Sequence, residues 1–491
     1  MRPRRIYRTP TTIDLEITDI CNEKCVYCFN FDRDLSMGSL KLDKAKIDQL
    51  VRQFVNFEVF HVISSGGEAF ANFEMLLYLN KKLKENYIST SVNSNLSIKA
   101  KRIERLKRLF DSGCDHILTS LPSYLSDVTN KLVNSKNAFD RITSGIEDAI
   151  KVGFRVSANM VVHNSNKNQV YLTAKLASEL GCQRIFATRI VGPDYETEVD
   201  YENTNEENPN ILSKKAALEC LDQLIKARDE FGIDVSTIVS YPLCLLGDLQ
   251  KYADFVGRGC PTQRGHRLNI LPNGDIRSCV HLSSEKLGNV FHDEIDLSEQ
   301  YKKLRNWHDG SLAFEECKKC DYRYVCNSGC RVDAKAYSGK LNGKDPLMVG
   351  PIINGKIHGK SLRNFVPFKI TYDKKTREII EKSDFIVSNE ARFRYEENFY
   401  LCSIKYGNII EIEYEIAKFL IEKKKLNLSF NLKEFGKENI QIMIDYFCKD
   451  LIKSVDNKLN NTRNKNLLKK GLGIDPNNLP DYDKFVFKYF I

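Results

Sequence analysis

The sequence predicts an α/β fold in which a partial (β/α)6 barrel of the TIM type is followed by a cysteine-rich extension and a C-terminal α+β subdomain. In the first half, six strand-like segments alternate with amphipathic helical segments, which is typical of a parallel sheet. Ten of the fifteen cysteines fall into close groups, and shorter mixed elements follow them. The 491 residues correspond to about three domains of roughly 150 residues each, which we place at 1–235, 236–350 and 351–491.

The predicted barrel begins with a strand at Thr12–Thr18, which alternates apolar and polar residues and leads into a loop with three cysteines. A helix is expected from about Leu42 to Phe57, and the second strand, Phe60–Ser65, ends in Gly66-Gly67-Glu68. Ligands in such barrels are bound at the carboxyl ends of the strands, so both of these strand ends are expected at the binding face. The remaining expected strands are Ser89–Val92, His116–Leu121, Arg155–Val162 and Arg184–Val191, with helices such as Lys101–Phe110 and Val170–Leu180 between them.

Composition limits the class of protein and its compartment. With 42% hydrophobic and 28% charged residues, the chain is globular, and a disordered or fibrous protein is excluded. No stretch approaches the roughly 18 uninterrupted apolar residues of a membrane span, and a strand pattern follows the basic N-terminus where a signal peptide would have an apolar core. We therefore expect a cytoplasmic chain without a membrane partner, in which the cysteines favour metal binding or catalysis over disulfides. Five scattered cysteines are expected to pack in the core: Cys114, Cys182, Cys220, Cys402 and Cys448.

The first cysteine group is Cys21, Cys25 and Cys28, in the spacing C-x3-C-x2-C. Neighbouring thiolates repel unless a soft cation neutralises them, and three ligands leave one metal position open for a substrate or cofactor. The spacing, with Tyr27 directly before the last cysteine, resembles that of the radical S-adenosylmethionine enzymes. The resemblance implies that the thiolates hold three irons of a [4Fe–4S] cluster, that S-adenosylmethionine chelates the fourth, and that Tyr27 lies at the cofactor. Reduction would then yield a 5′-deoxyadenosyl radical, which abstracts a hydrogen atom.

Polar residues after the next strands extend this resemblance. Gly66-Gly67-Glu68 has the composition of a tight turn, and it also resembles the family's Gly-Gly-Glu-Pro segment, with Ala69 in place of the proline. The resemblance implies that these residues hold the methionyl ammonium group of the cofactor. It also implies cofactor contacts for Asn95, for Ser120 and, through the cofactor carboxylate, for Lys131. An ordinary strand-end or surface role is the alternative for these last three.

The second cysteine field begins at Cys244 and ends at Cys330. It contains C-x13-G-x4-C from Cys260 to Cys279, with a strand–turn–strand pattern at 270–276, and then C-x2-C-x5-C-x3-C. These spacings resemble the SPASM extension, which houses two auxiliary [4Fe–4S] clusters in peptide-modifying radical enzymes; a zinc ribbon is the alternative. The resemblance implies one auxiliary cluster on Cys244, Cys260, Cys279 and Cys330, and three irons of the other on Cys317, Cys320 and Cys326.

The fourth cysteine expected for the second auxiliary cluster is missing. An Asp-Pro pair at Asp345 is followed by Met348, where the family has a thiolate. The ligand is then the Asp345 carboxylate or the Met348 thioether, or the iron is open to a substrate thiolate, and these alternatives stay open. A thioether is a weaker, neutral donor, and a neutral ligand would make the cluster less negative and raise its potential.

The resemblance covers several substrate classes. Enzymes that convert a sulfatase cysteine or serine to formylglycine carry an aspartate directly after the cysteine equivalent to Cys279, whereas this sequence has Val280, which cannot accept a proton. We therefore expect a maturase that abstracts a hydrogen atom from a ribosomally made peptide to install a thioether or carbon–carbon crosslink or to epimerise a residue. Sulfatase maturation, a SPASM enzyme of peptide-derived cofactor biosynthesis and a non-catalytic iron–sulfur sensor are the alternatives. A reducing electron donor such as flavodoxin or ferredoxin is a further expected partner.

Residues 351–491 bear on how a peptide is held. Arg392–Ile404 alternates like a strand, Tyr406-Gly407-Asn408 is a candidate hairpin turn, and Glu411–Lys425 and Asn439–Val455 have helical periodicity. A hairpin followed by helices is consistent with a winged helix and loosely resembles leader-binding modules; a capping subdomain or dimer surface is the alternative. With 26 Lys/Arg against 19 Asp/Glu, this part carries +7 of the net charge of +9, which attracts an acidic leader peptide. No nucleic-acid motif is present in the sequence, and we expect no such partner.

Overall fold

A computed structural model of the chain describes residues 6–30, 40–98, 100–192, 212–255, 259–292, 296–361, 378, 381–404, 408–435, 446 and 451–455. The chain divides into two compact units, of which the larger is Arg2–Asn364 and the smaller contains Phe365–Ile491. Within the described residues, no helix is both long and apolar enough to cross a membrane. The expected boundaries at 235 and 350 stay predictions.

The larger unit contains one ten-stranded sheet. Its strands are β1 (Thr12–Thr18), β2 (His61–Gly66), β3 (Ser89–Asn93), β4 (His116–Ser120), β5 (Arg155–Val162), β6 (Arg184–Arg189), β7 (Asp234–Ser236), β8 (Arg267–Ile270), β9 (Asp275–Arg277) and β10 (Gly288–Asn289). Their order is β10-β9-β8-β1-β2-β3-β4-β5-β6-β7. Strands β1 to β7 are parallel to their neighbours, and β8 pairs in parallel with β1 on the edge opposite β2.

Helices connect the parallel strands, as this topology requires. They are α1 (Lys44–Asn56), α2 (Phe73–Glu85), α3 (Arg102–Asp111), α4 (Ser126–Val133), α5 (Ala138–Val152), α6 (Val170–Glu179) and α7 (Lys214–Phe231). The cysteine-rich extension adds short helices: α8 (Leu243–Leu246), α9 (Leu297–Lys302), α10 (Arg305–His308), α11 (Arg323–Cys326) and α12 (Arg331–Ser338). The sheet and its connections are those of a partial (β/α) barrel, which confirms the predicted fold class.

Local sequence explains the elements around the first cysteine loop. All seven residues of β1 are buried, because both faces of a parallel sheet are covered. Helix α1 begins after Asp43, whose Oδ1 accepts a hydrogen bond from the Lys46 N–H at 2.9 Å, and it buries the four residues Ile47, Leu50, Val51 and Phe54 on one face. The N-cap and the apolar stripe hold α1 against the sheet, so β1 and β2 lie side by side and their carboxyl ends meet.

The six strands predicted from periodicity are all present. The bounds of β1 and β5 agree with the prediction, and the other four differ by one or two residues. The strand β7, which has only three residues, was missed, and so was the parallel pairing of β8 with β1. The strand–turn–strand pattern at 270–276 is confirmed as the antiparallel β8–β9 hairpin, in which Gly274 has φ +90°.

The smaller unit contains two three-stranded antiparallel sheets and one long helix in its described residues. The strands are β13 (Asp384–Val387), β14 (Arg392–Glu396), β15 (Phe399–Ile404), β16 (Asn408–Glu413), β17 (Phe430–Asn431) and β18 (Ile452–Ser454), after β11 (Lys356–Ile357) and β12 (Lys360–Ser361) of the larger unit. The sheet orders are β17-β13-β18 and β14-β15-β16, and the helix is α13 (Tyr414–Lys425).

Three local predictions for this unit are corrected. Arg392–Ile404 is a hairpin of β14 and β15 and not one strand, because the chain reverses at Glu397, which has φ +59°. The helix predicted from Glu411 begins at Tyr414, since the preceding residues pair in β16. The end of the second predicted helix, at 452–454, is the strand β18, while most of that segment and Tyr406-Gly407 lie outside the described residues. The winged helix stays a prediction.

Candidate functional site

Three cysteines follow β1 at the carboxyl edge of the parallel sheet. Cys21, Cys25 and Cys28, here called the Cys25 group, lie in the ten residues after Thr18. Burial and then the neighbouring thiols of Cys28 and Cys21 raise the pKa of Cys25 to about 12. Thiols that affect one another in this way repel as thiolates, so a cation bound among them would lower their pKa values and stabilise the group.

The glycine turn at the end of β2 fixes the backbone that leads into these cysteines. The Gly67 N–H donates to the Thr18 carbonyl at 2.8 Å, and the Glu68 N–H donates to the Ile20 carbonyl at 2.7 Å. A Cβ on Gly67 would lie 2.1 Å from the Ile20 carbonyl oxygen, and one on Gly66 would lie 2.2 Å from that of Thr18. Only glycine allows two backbones to approach so closely. The predicted Gly-Gly-Glu segment and the cysteine loop are therefore neighbours.

The Glu68 side chain joins the ends of β2 and β3. It is 4% exposed; Oε1 accepts hydrogen bonds from Ser94 Oγ at 2.7 Å and from the Phe70 N–H at 3.1 Å, and Oε2 accepts one from the Asn95 N–H at 2.8 Å. Burial raises the pKa of Glu68, against the effect of these three donors. The carboxylate thus braces the two strand ends, and its expected contact with the cofactor ammonium group stays a prediction.

Asn95 lies against the cysteine loop. Its Nδ2 donates to Asn22 Oδ1 at 2.8 Å, and its Oδ1 accepts from the Ser97 N–H at 2.9 Å. Asn22 in turn donates through Nδ2 to the Ser97 carbonyl at 3.0 Å. The loop after β3 therefore holds the peptide between Cys21 and Cys25, and the predicted cofactor contact of Asn95 would be made from this position.

A buried ion pair that the sequence did not reveal holds the same loop. The Glu23 side chain is 1% exposed, and its Oε1 accepts from Arg141 NH2 at 3.0 Å and from Ser97 Oγ at 2.8 Å. Arg141, on α5, also donates through Nε to Ser97 Oγ at 2.6 Å and through NH2 to Ser135 Oγ at 2.7 Å. No local pattern links residues 118 positions apart in the chain, so sequence reasoning had no signal for this pair.

Tyr27, Ser120 and Lys131 occupy three different environments. The Tyr27 hydroxyl is hydrogen-bonded to Cys25 and to Ser120, the last residue of β4, and burial and then the Cys25 thiol raise the pKa of Tyr27. The Tyr27 ring lies 6.4 Å from that of His163, which follows β5 and is 5% exposed. Lys131 is exposed in the last turn of α4. The structure thus brings Tyr27 and Ser120 to the Cys25 group, whereas Lys131 lies on the helix surface.

A second cysteine group consists of Cys260, Cys279 and Cys330, here called the Cys279 group. Burial and then the thiols of Cys260 and Cys330 raise the pKa of Cys279. Cys279 follows the β8–β9 hairpin, which extends the barrel sheet beyond β1. The His281 imidazole lies 3.9 Å from Cys279 Sγ through Nδ1, and its ring is 4.9 Å from that of Phe29, next to Cys28. The Cys279 and Cys25 groups are therefore linked through two adjacent side chains.

A third group, the Cys320 group, consists of Cys317, Cys320 and Cys326. Burial raises the pKa of Cys317 to about 11 and that of Cys326 to about 12, and the thiols within the group add to both shifts. Met348 is 1% exposed, with Sδ 3.9 Å from Cys317 Sγ. Cys244, which the resemblance assigned to the same cluster as Cys279, lies beside the Cys320 group, because α8 packs against Cys326.

Asp345, the predicted alternative ligand, belongs to a buried ion network at the end of β6. Arg189 NH2 lies 2.6 Å from Asp345 Oδ2, and Arg189 NH1 lies 2.8 Å from Asp333 Oδ2, with all three side chains at most 3% exposed. Asp345 also accepts from the Cys330 N–H at 2.8 Å and from the Leu347 N–H at 2.9 Å. Burial opposes the charge of Arg189, but Asp345 and Asp333 raise its pKa above the ordinary value. The network connects the barrel to the cysteine-rich extension.

The donor sets fit iron–sulfur clusters. In the part of the chain that the structure describes, no three His, Cys, Asp or Glu side chains converge as a single metal ion would require. A [4Fe–4S] cluster places each thiolate on a different iron, so its cysteines are spread around the cluster. The Cys25, Cys279 and Cys320 groups each bring together three cysteines, and Cys thiolates are the ligands of a [4Fe–4S] cluster.

The scattered cysteines are core residues, as predicted, wherever the structure describes them. Cys114, Cys182, Cys220 and Cys402 are at most 6% exposed, and Cys448 lies outside the described residues. Cys114 precedes β4 and Cys182 precedes β6, so both lie at the amino ends of parallel strands. The Cys25 group follows the carboxyl end of β1, so Cys114 and Cys182 lie at the opposite edge of the sheet, about one strand length away from it.

Residues 15–177 match the Radical SAM superfamily. A PqqA peptide cyclase of Methylobacterium nodulans is 24% identical to this chain over 365 residues, which cover 72% of this chain and 89% of that protein. A PqqA peptide cyclase of Rhizobium meliloti is 22% identical over 367 residues, covering 71% of this chain and 91% of that protein.

Two solved structures share the fold. SuiB of Streptococcus suis, bound to S-adenosylmethionine, has a TM-score of 0.51 at 18% identity, covering 70% of this chain and 78% of that one. The protein anSMEcpe with bound AdoMet has a TM-score of 0.53 at 18% identity, covering 69% of this chain and 94% of that one. The similar region in each case is about the length of the larger unit.

Proposed function

We propose that this chain, whose residues 15–177 are a radical S-adenosylmethionine domain, is a maturase that abstracts a hydrogen atom from a ribosomally made peptide and so installs a crosslink. The observation that carries the proposal is the Cys25 group at the carboxyl end of β1, positioned by the Gly66-Gly67 turn. The Cys279 and Cys320 groups add two further sets of thiols in the same unit. Together they support one catalytic and two auxiliary [4Fe–4S] clusters.

The residues around the Cys25 group would orient the cofactor and exclude water. S-adenosylmethionine bound to a reduced cluster supplies a 5′-deoxyadenosyl radical. Glu68 and Asn95 keep the ends of β2 and β3 beside the cysteine loop, and Tyr27 lies between Cys25 and Ser120. Such fixed surroundings protect a reactive intermediate from side reactions with solvent.

A peptide is the substrate class that the comparisons favour. Relatives that align with most of their length are named PqqA peptide cyclase, and SuiB has been solved bound to its precursor peptide SuiA. The net positive C-terminal part of this chain would attract an acidic leader segment of such a peptide. We also propose that a donor such as flavodoxin or ferredoxin reduces the clusters and that the protein works in the cytoplasm.

A crosslink is favoured over epimerisation by the position of the thiols. An epimerase must return a hydrogen atom to the substrate radical, and a thiol is a suitable donor. Cys114 and Cys182 lie at the amino ends of their strands, away from the Cys25 group. Both side chains are also buried, at 0% and 6% exposed, so neither thiol faces an open cavity.

The test is anaerobic reconstitution of the full chain, followed by reduction with S-adenosylmethionine and each short peptide that is found to be encoded next to the gene. We expect about 12 irons per chain, as three four-iron clusters require, together with 5′-deoxyadenosine and a peptide product that has lost two hydrogen atoms by mass. Cys25→Ala is expected to lose the 5′-deoxyadenosine, while the matched core variant Cys220→Ala keeps it. A reconstituted chain that binds no S-adenosylmethionine would support an iron–sulfur sensor, and a product of unchanged mass would support epimerisation.

A further inference from the structure

We propose that Cys244 is the fourth cysteine of the Cys320 group and supplies the ligand that the sequence lacks at Met348. The inference rests on the proposed function only in that the chain must bind iron–sulfur clusters. It replaces the three alternatives of a carboxylate, a thioether or an open iron with a complete set of four cysteines.

Backbone contacts bring Cys244 to this group across more than eighty residues of sequence. The N–H of Leu243, its neighbour on α8, donates to Cys326 Sγ at 3.4 Å over a separation of 83 residues. Cys244 Sγ itself accepts from the Val349 N–H at 3.4 Å, directly after Met348. Since Met348 Sδ lies 3.9 Å from Cys317 Sγ, the segment that follows Asp345 faces Cys244 on one side and Cys317 on the other.

Cys244 Sγ accepts a backbone hydrogen bond, as two cysteines of the Cys320 group do. Cys114, Cys220 and Cys402 each donate an S–H to a backbone carbonyl, at 3.5, 3.5 and 3.6 Å. Cys244 Sγ instead accepts a backbone N–H, and Cys320 and Cys326 do the same at 3.3 and 3.4 Å. Backbone N–H donors aimed at sulfur stabilise a thiolate and tune the potential of a cluster that the thiolate binds. The Cys244 sulfur is therefore surrounded in the same way as the sulfurs of Cys320 and Cys326.

The two predicted alternatives have other roles in the structure. The carboxylate of Asp345 is held by the Arg189 guanidinium and by two backbone N–H groups, so binding iron would break a buried ion pair. Met348 is a neutral side chain packed beside Cys317, and a thiolate is the stronger donor for iron. With Cys244 in the Cys320 group, only Cys260, Cys279 and Cys330 remain as cysteine ligands of the other auxiliary cluster.

The test uses full-length chains in which Cys21, Cys25 and Cys28 are alanine, so that only the auxiliary sites bind iron, about eight per chain. In this background we compare Cys244→Ala/Cys320→Ala with Cys244→Ala/Cys279→Ala. If Cys244 belongs to the Cys320 group, the first pair removes one cluster and leaves about four irons, whereas the second pair damages both clusters and leaves fewer. The opposite ranking overturns the inference while leaving the proposed function intact, and a chain that binds no iron overturns both.

A single conservative variant and its rescue cover the case in which multiple substitutions unfold the chain. Cys244→Ser is expected to change the paramagnetic spectrum and potential of the reduced cluster that Cys320→Ser also changes, and to leave unchanged the one that Cys279→Ser changes. Adding Met348→Cys to Cys244→Ser is expected to restore the four-thiolate spectrum, because both side chains face the same group. A spectrum for Cys244→Ser that matches Cys279→Ser refutes the assignment.

Discussion

Replacing Gly67 with alanine adds one methyl group where the structure has no room for it. The new Cβ would lie 2.1 Å from the carbonyl oxygen and 2.4 Å from the carbonyl carbon of Ile20, and 2.7 Å from the carbonyl oxygen of Asp19. All three are backbone atoms, so no side chain can rotate away. The clash is relieved only if the end of β2 separates from the backbone that leads into Cys21.

The free-energy cost of this separation has two parts. Separation weakens the hydrogen bonds from Gly67 to Thr18 and from Glu68 to Ile20, each worth about 1 kcal/mol. Overpacking of a closely packed site adds about 1–3 kcal/mol. A total of about 3–5 kcal/mol reduces the population of the native arrangement by more than about a hundredfold, at about 1.4 kcal/mol per factor of ten.

The assay is equilibrium binding of S-adenosylmethionine to the anaerobic, reconstituted chain, with iron counted in the same samples. Gly67→Ala is expected to lose most of the S-adenosylmethionine binding while the two auxiliary groups keep about eight irons. Gly232→Ala is the matched control: Gly232 has φ +68°, and a Cβ there meets no atom within 4 Å, so the cost is only about 1–2 kcal/mol of backbone strain. Wild-type affinity in Gly67→Ala would refute the reasoning that this close approach positions the loop.

Three further variants test the surroundings of the site. Arg141→Met leaves the buried Glu23 carboxylate without its cation and is expected to cost about 2–4 kcal/mol of unfolding free energy in urea; adding Glu23→Gln should recover part of it, and no recovery would contradict a direct pairing. Burial lowers the pKa of His61 from 6.5 to about 3, so the unfolded chain binds more protons below pH 6.5 and stability falls as the pH is lowered. Protonation of His61 in the unfolded chain therefore lowers the free energy of unfolding by about 2 kcal/mol between pH 7 and pH 5. In His61→Gln, the fall in unfolding free energy over the same pH range should be smaller than in the wild type by that amount. Arg189→Leu leaves two buried carboxylates without their cation and is expected to lower the free energy of unfolding by about 3–5 kcal/mol. The control Arg184→Leu, on the same strand, breaks an ion pair with a 68% exposed aspartate and is expected to lower it by about 1 kcal/mol or less. Equal losses would show that the buried network does not stabilise the fold.

Periodicity predicted the parallel strands well because each is a local pattern. The alternations of apolar and polar residues in Thr12–Thr18 and in Arg155–Val162 are complete within each segment. The failures occurred where pairing decides the structure. Helical periodicity continued through Glu411, but the residues up to Glu413 bond to β15, and 452–454 bonds to β13. Tertiary pairing overrode the local preference in both places.

The candidate site was predicted where a motif combines residue type with spacing. The Cys25 group and Gly66-Gly67-Glu68 were found in this way, and the carboxyl-edge rule placed them together. The partners that hold them were not found, because Asn22 and Glu23 are ordinary polar residues in sequence. Their roles depend on the loop after β3 and on Arg141 of α5, which only the folded chain brings near.

Cysteine spacing alone does not show which cysteines of the extension bind the same cluster. Cys244 precedes Cys260 by 16 residues, and the SPASM resemblance assigns both to one cluster. In the folded chain, α8 turns Cys244 toward Cys326 and Val349, while Cys260 lies with Cys279 at the β8–β9 hairpin. A ligand can therefore move from one cluster to the other without any change in the cysteine motifs, provided that one short helix changes its packing. For this reason the absence of a thiolate at 348 does not imply an incomplete second cluster; the folded chain offers a cysteine from the other end of the extension.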